Sequence, residues 1–314
     1  MMMIRKYPIG FAVLFLVMTI FLAPCFAQGQ QVWKIATFNV RYDNKGDRDK
    51  GNGWDRRLPV ILSLIKFHGF DVFGAQEVLK EQFADMNQGL DAYASVGVGR
   101  DDGIDKGEYA PIFYKKEKFK LLDAGTFWLS ETPDKPSKGW DASLPRICTW
   151  AHLVEIGTGR KSWFFNLHMD HVGMVAREES SRLVIAKMRQ MVGDDSAFLT
   201  GDFNVDQNNS IYRILADSEF VRDCYEHTNE RYAFNGTFNA FDSHLMTDSR
   251  IDYIFVTSEV SVNKYGVLTD SYRTPTMQME EIKKGDFPKE LSFRKYDTRM
   301  PSDHFPVVVE VIVE

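Results

Sequence analysis

The chain has 314 residues, with 44 acids against 38 strong bases and a net charge of −6. An acidic surface repels polyanions unless a local basic patch overrides it, so tight nonspecific binding to nucleic acid is disfavoured. The length allows one large domain or two; the lack of a Pro/Gly/Ser linker, an internal repeat or a low-complexity tract favours one.

Residues 1–27 read as an export signal. Arg5 and Lys6 form a positive start, Ile9 to Leu22 is apolar, and Cys25-Phe26-Ala27 offers small residues before a cut. The apolar stretch is short for a membrane span, and polar Gln28 to Gln31 follows it. A lipid anchor is the alternative, because Leu22-Ala23-Pro24-Cys25 partly resembles a lipoprotein processing site, although Pro24 is unfavourable there. The mature chain, 28–314, is then periplasmic or extracellular. Loss of Arg5 and Lys6 takes its charge from −6 to −8. Its two cysteines, Cys148 and Cys224, read as separate buried thiols, with a disulfide as the alternative in an exported protein.

Along the mature chain, strand-like runs fall at 32–38, 71–75, 94–98, 110–114, 147–154, 162–167, 197–200, 251–256 and 306–313. Helix-like patterns lie between them at Leu58 to Phe67, Gln82 to Leu90, Glu178 to Met191 and Ile211 to Ala216. The polar stretches 43–53, 99–108, 130–143 and 270–300 read as loops around the mouth of a site. Mixed strands and helices with short connections predict a layered α/β or α+β fold.

Polar clusters close the apolar runs. Ala36-Thr37-Phe38-Asn39 ends the first, and Asp71 to Gln76-Glu77 ends the second. Trp163 to His168 is followed by Asp170 and His171. Ala197 to Leu199 leads into Thr200-Gly201-Asp202-Phe203-Asn204; on a continuous strand, Asp202 and Asn204 would share one side. Arg250 to Phe255 carries Asp252 inside an apolar pattern, and Ser302-Asp303-His304-Phe305-Pro306 precedes the valine run from Val307. A carboxylate can take a proton from water and an amide can orient its target. Such groups, each at a strand end, are what a metal-assisted hydrolase requires.

In order and spacing, the motifs at 37–41, 76–78, 166–171, 201–204, 250–255 and 302–307 resemble the endonuclease/exonuclease/phosphatase superfamily, nearest its deadenylase-like branch with secreted bacterial members. The resemblance implies a four-layer α/β sandwich, two packed mixed β-sheets flanked by helices. It makes Glu77 the principal ligand of one divalent ion, with Asn39 and Asp303 in the metal environment. Oxygen donors suit Mg²⁺ or Mn²⁺. It makes Asp202 the general base, and gives Asn204, His168 and His304 to the phosphate. Asp252 would hold the His304 ring, because a buried carboxylate needs a partner. The alternatives are a helix-capping role for Glu77, a structural role for His168 and an Asp252–Arg250 ion pair. Arg41 departs from the abasic-site endonucleases, which carry an acid at this place, and so puts their metal arrangement in doubt.

Outside the shared core, Glu108, Trp128, Trp140 and Arg146 read as rim residues, the aromatics and the arginine able to stack a sugar or base, or else as packing under long loops. Arg177 reads as a further phosphate contact, with a helix cap as the alternative, and His171 before it as a further substrate residue. Trp54 to Arg57 reads as structural. The expected enzyme is a monomeric metal-dependent phosphoesterase without an obligate protein partner. Phosphodiester cleavage of the nuclease type leads; a phosphomonoesterase on inositol or sugar phosphates is the alternative, and a catalytically silent binding module stands third. Nucleic acid, phospholipid head groups, inositol phosphates and phosphorylated glycans all remain open as substrates.

Overall fold

Alternation of side chains along two sets of strands decides the architecture. The computed structural model describes residues 32–228, 230–276, 281–282 and 285–313, so the leader expected at 1–27 lies outside the described residues. The first sheet has seven strands in the order β10-β12-β17-β1-β2-β4-β3. They are β1 (Val32–Asn39), β2 (Val72–Gln76), β3 (Tyr93–Val96), β4 (Ile112–Lys115), β10 (Glu230–Tyr232), β12 (Val260–Val267) and β17 (Val307–Val313). The second has six, in the order β5-β6-β7-β8-β11-β9. These are β5 (Phe119–Trp128), β6 (Ile147–Glu155), β7 (Lys161–His168), β8 (Ser196–Asp202), β9 (Arg222–Asp223) and β11 (Asp252–Val256).

Neighbouring residues on one strand serve different layers, as a period of two requires. Ile35, Val72, Phe164 and Phe198 fill the space between the sheets, with the Phe164 and Phe198 rings stacked at 4.8 Å. Ala36 and Phe73 turn outward to α2 (Trp54–His68) and α3 (Lys80–Gly89), which supply Ile61, Ile65 and Met86. Phe165 and Leu199 turn outward to α4 (Met174–Val192) and α5 (Ser210–Ala216), which supply Val184, Met188 and Leu215. Helices, sheet, sheet, helices: this is the expected four-layer sandwich. Cys148 and Cys224 are free, buried thiols in different cores, the first under α4 and the second between the sheets.

Register carries the site residues to one end. β1 runs parallel to β2 with Asn39 beside Gln76, and antiparallel to β17 with Thr37 beside Val307, so the 302–304 turn lies next to Asn39. In the other sheet β7 runs parallel to β8 with His168 beside Asp202, and β8 runs antiparallel to β11 with Asp202 beside Asp252.

Several expectations need correcting. Strands β5 and β12 were not expected; each contains a register shift that breaks the alternation, at Leu121/Asp123 and Val262/Lys264. The 270–300 stretch is not all loop, since β13 (Tyr272–Pro275) pairs with β16 (Tyr296–Arg299) and β14 (Glu281–Ile282) with β15 (Phe293–Arg294). Within 43–53, α1 (Lys45–Asp49) forms where the Asn44 side chain accepts from the Asp47 N–H.

Candidate active site

The strand ends open into a cavity of about 460 Å³. Glu77, Asp202, Asn204, His168, Asp303 and His304 line it, as do Glu108, Arg146 and His171. Asn39 and Asp252 lie behind its wall, buried. The Asn39 amide ties the two sheets together, donating through Nδ2 to Glu77 Oε1 at 3.1 Å and to Asp202 Oδ2 at 3.0 Å. The second Glu77 oxygen accepts from the Tyr42 N–H at 3.1 Å. Glu77 is therefore not a helix cap; α3 begins after it, with Leu79 at the cap position.

Asp252 accepts from His304 Nδ1 at 2.9 Å, and His304 Nε2 lies 3.7 Å from Asp202 Oδ2. Burial opposes charge on His304, but Asp252, Asp202 and Asp303 outweigh it and raise the ring well above its ordinary value. The surrounding carboxylates thus favour the protonated ring. The Arg250 alternative fails: Arg250 precedes β11 and pairs with Asp223 at 2.8 Å.

His168 differs. Its Nε2 is 3.6 Å from Asp202 and its Nδ1 is 3.7 Å from Glu108, contacts that favour a charged ring. Burial, together with Arg146, Arg100, His304 and His171, drives it well below the ordinary histidine value. Burial has the larger effect, because neither carboxylate is within hydrogen-bond distance. Asp202 is pushed up to about 7 by burial and the nearby Asp252 charge, against His304 and the Asn39 amide.

Arg41 reaches between two acids, 3.8 Å from Glu77 and 3.5 Å from Asp303, while its Nε donates to Asp47 at 2.9 Å. Burial raises Asp303, with Glu77 adding to the rise and His304 and Arg41 opposing it. Arg41, Glu77 and Asn204 all have φ between 53° and 59°, a region that costs non-glycine residues about 1–3 kcal/mol each. Three residues of the cavity lining thus sit on strained backbone. Asn204 has left the strand, so it does not share a face with Asp202; its N–H donates to Asp202 Oδ1 at 3.0 Å and its Nδ2 to the Met169 carbonyl at 2.9 Å.

The rim expectations divide. Glu108 pairs with Arg100 at 2.7 Å at the cavity wall, and Arg146 and His171 stand there together. Trp140 does not line the cavity; its N–H donates to the Glu131 carboxylate from a backbone at φ 47°. Arg177 does not line it either, because its Nη1 donates to the Asp170 carbonyl at 2.9 Å. Trp128 is packing, buried with its Nε1 on the Arg100 carbonyl at 2.7 Å.

Two supports were missed or undervalued. Gln76 Nε2 donates to Thr37 and to Asn166 Oδ1, and Thr200 donates to the same Asn166 oxygen, a polar belt joining both sheets beneath the site. The signal was available: Thr37, Asn166 and Thr200 each stand two residues before Asn39, His168 and Asp202, hence on the same strand face. Arg57, read as structural, is fully buried and donates to the carbonyls of Asn52, Val40, Arg41 and Pro301, clamping the two turns that carry Arg41 and Asp303.

The set fits a hard divalent cation. The Glu77 and Asp202 carboxylates each bring an oxygen, within 4.8 Å of one another, and Asp303 brings a further carboxylate, while the protonated His304 beside them is a donor and not a ligand. The profile of the Endonuclease/Exonuclease/phosphatase family matches residues 36–304. The chain belongs to that family. It is an enzyme, a phosphoesterase hydrolase. A Bacteroides thetaiotaomicron protein described as an endonuclease/exonuclease/phosphatase family protein is 47% identical with TM-score 0.84, over 90% of this chain and 98% of that one. A mannosyl-6-phosphatase from the same organism is 48% identical with TM-score 0.81, over 89% and 99%. A family protein from Bacteroides vulgatus is 37% identical with TM-score 0.78, over 90% and 100%.

Proposed function

We propose that this chain is an exported, Mg²⁺- or Mn²⁺-dependent phosphomonoesterase that removes phosphate from a mannose-type sugar. The observation that carries the chemistry is the Asp202 carboxylate, held by the Asn39 amide at 3.0 Å and flanked by His168 and His304 within 3.7 Å. Support for the substrate class is the 48% identity to a protein named for mannosyl 6-phosphate. The acidic net charge adds to it by disfavouring polyanions. On that ground the monoester takes the place of the diester favoured by the motifs.

Glu77 and Asp303 would hold the ion, with Asn39 fixing the Glu77 carboxylate. The bound ion would neutralise charge on the phosphate oxygens. Asp202 Oδ2 takes the proton of a water in line with the ester bond. The Asn39 amide keeps that oxygen in place, and the protonated His304, braced by Asp252, donates from Nε2 to a phosphoryl oxygen as charge builds there. The neutral His168 offers a second contact to the phosphoryl group, and water is added across the phosphorus–oxygen bond to the sugar.

The test is phosphate release from mannose 6-phosphate and p-nitrophenyl phosphate, beside bis-p-nitrophenyl phosphate, DNA and RNA. EDTA should abolish turnover and Mg²⁺ or Mn²⁺ restore it. Faster cleavage of the diester than of either monoester would overturn the proposed substrate class.

A further inference from the structure

The cavity has two unlike sides. On one, Arg41 stands beside the Glu77 and Asp303 carboxylates; on the other, Arg146 and His171 are joined by a hydrogen bond, with Glu108 near Arg146. Arg146 is only 4% exposed and sits immediately before β6, so its backbone is fixed by the sheet. Its Nε donates to Asp170 Oδ2 at 3.3 Å and its Nη2 to His171 Nδ1 at 3.0 Å. A guanidinium has no acceptor, so His171 Nδ1 must accept and the neutral ring carries its proton on Nε2, a second donor. The third nitrogen of Arg146, Nη1, is closed to solvent and has no acceptor among the described residues.

Asp170 and Glu108 balance the charge of the guanidinium, but a buried N–H left without an acceptor is still costly. Asp170 is occupied elsewhere, accepting from the N–H groups of Val172 and Gly173 at 3.0 and 2.8 Å and from Leu144 at 3.3 Å. These bonds fix Asp170, and through it they aim the guanidinium. The arrangement is a preset fork with one prong unused, the form that suits a phosphate oxygen.

We propose that Arg146 and His171 form an anion subsite for a terminal oxygen of a dianionic phosphate monoester, and that this subsite sets the preference for monoesters over diesters. The inference rests on the phosphoesterase reading above and deepens it. A monoester has three terminal oxygens and a diester only two. The position that meets Arg146 in a monoester would in a diester present the second ester arm, which leaves Nη1 without an acceptor.

The experiment uses the full chain with Mg²⁺ and compares wild type with Arg146→Gln and His171→Ala. It measures kcat and KM on p-nitrophenyl phosphate and bis-p-nitrophenyl phosphate, and Ki for inorganic phosphate. Arg146→Gln should lower kcat/KM for the monoester about tenfold to a hundredfold, the range expected for one charge-assisted hydrogen bond, and weaken phosphate inhibition about tenfold. The diester should lose less than about threefold, so the ratio collapses. His171→Ala should move the ratio and Ki the same way, by about threefold to tenfold. Equal losses on both substrates with unchanged phosphate inhibition, in variants that melt like wild type, overturn the subsite. Should Arg146→Gln fail to fold, His171→Ala decides, because that ring is exposed. A wild type that prefers the diester sinks the monoester reading instead. Phosphate inhibition in the two variants then judges the subsite by itself, weakened supporting it and unchanged overturning it.

Discussion

The floor of the cavity and its rim are built differently. On the floor, Asn39, Asp202, Asp252 and His304 stand at strand ends or beside one, and strand pairing brings them to a common level from two sheets. On the rim, position depends on how a loop is tied down. Asp141 accepts from the Val175 and Ala176 N–H groups, and Asp170 from those of Val172 and Gly173, and these bonds decide which side chains face inward. Sheet pairing transmits placement over many residues. A loop transmits it only as far as its next hydrogen bond.

The comparison is broken most severely by disarming the floor. Asp202→Asn keeps the size of the side chain and removes the base, and should lower kcat about 10²- to 10⁴-fold with little change in the melting temperature. Asp252→Asn removes the charge that holds the His304 imidazolium, and should cost about 10- to 100-fold, the value of one charge-assisted hydrogen bond. Steady-state rates on p-nitrophenyl phosphate with saturating Mg²⁺ check both. Were the two losses reversed in size, the ordering of base before buttress would be wrong.

This contrast also explains what could be read from the chain. Thr37 to Asn39, Asn166 to His168 and Thr200 to Asp202 were legible because polar residues closing an apolar run must face either solvent or a site. Asn204 was misplaced because Phe203 bonds to the Ile251 carbonyl and the next residue turns left-handed, a change that alternation does not foresee. β5 was missed because Gly125 and the register shift at Leu121/Asp123 erase its pattern. Trp128 and Trp140 were given to the rim and Arg177 to a phosphate on residue type alone, and type does not say which way a side chain points.

A smaller effect comes from loosening the belt beneath the floor. A Cβ added at Gly74 would lie 2.2 Å from Asn166 Oδ1 and 2.5 Å from Thr200 Oγ1. Gly74→Ala must therefore push the two sheets' polar groups apart, at about 1–3 kcal/mol, which thermal unfolding will register as a loss of several degrees. Activity should fall with it, because Asn166 and Thr200 share strands with His168 and Asp202. A destabilised variant with full activity would separate belt from floor.

The smallest effect is expected where the rim has turned away. Trp140 and Arg177 do not line the cavity, so Trp140→Ala and Arg177→Ala should change kcat/KM on the small substrate p-nitrophenyl phosphate by less than about threefold. Arg177 gives one hydrogen bond to the Asp170 carbonyl, at the turn that also aims Arg146. Its removal should therefore register in KM before kcat, if at all, since the turn keeps the Val172, Gly173 and Leu144 bonds to the Asp170 carboxylate. A tenfold fall in kcat for Arg177→Ala would mean that rim and floor move together, and that the turn at 170–173 belongs with the strand ends in positioning the phosphate.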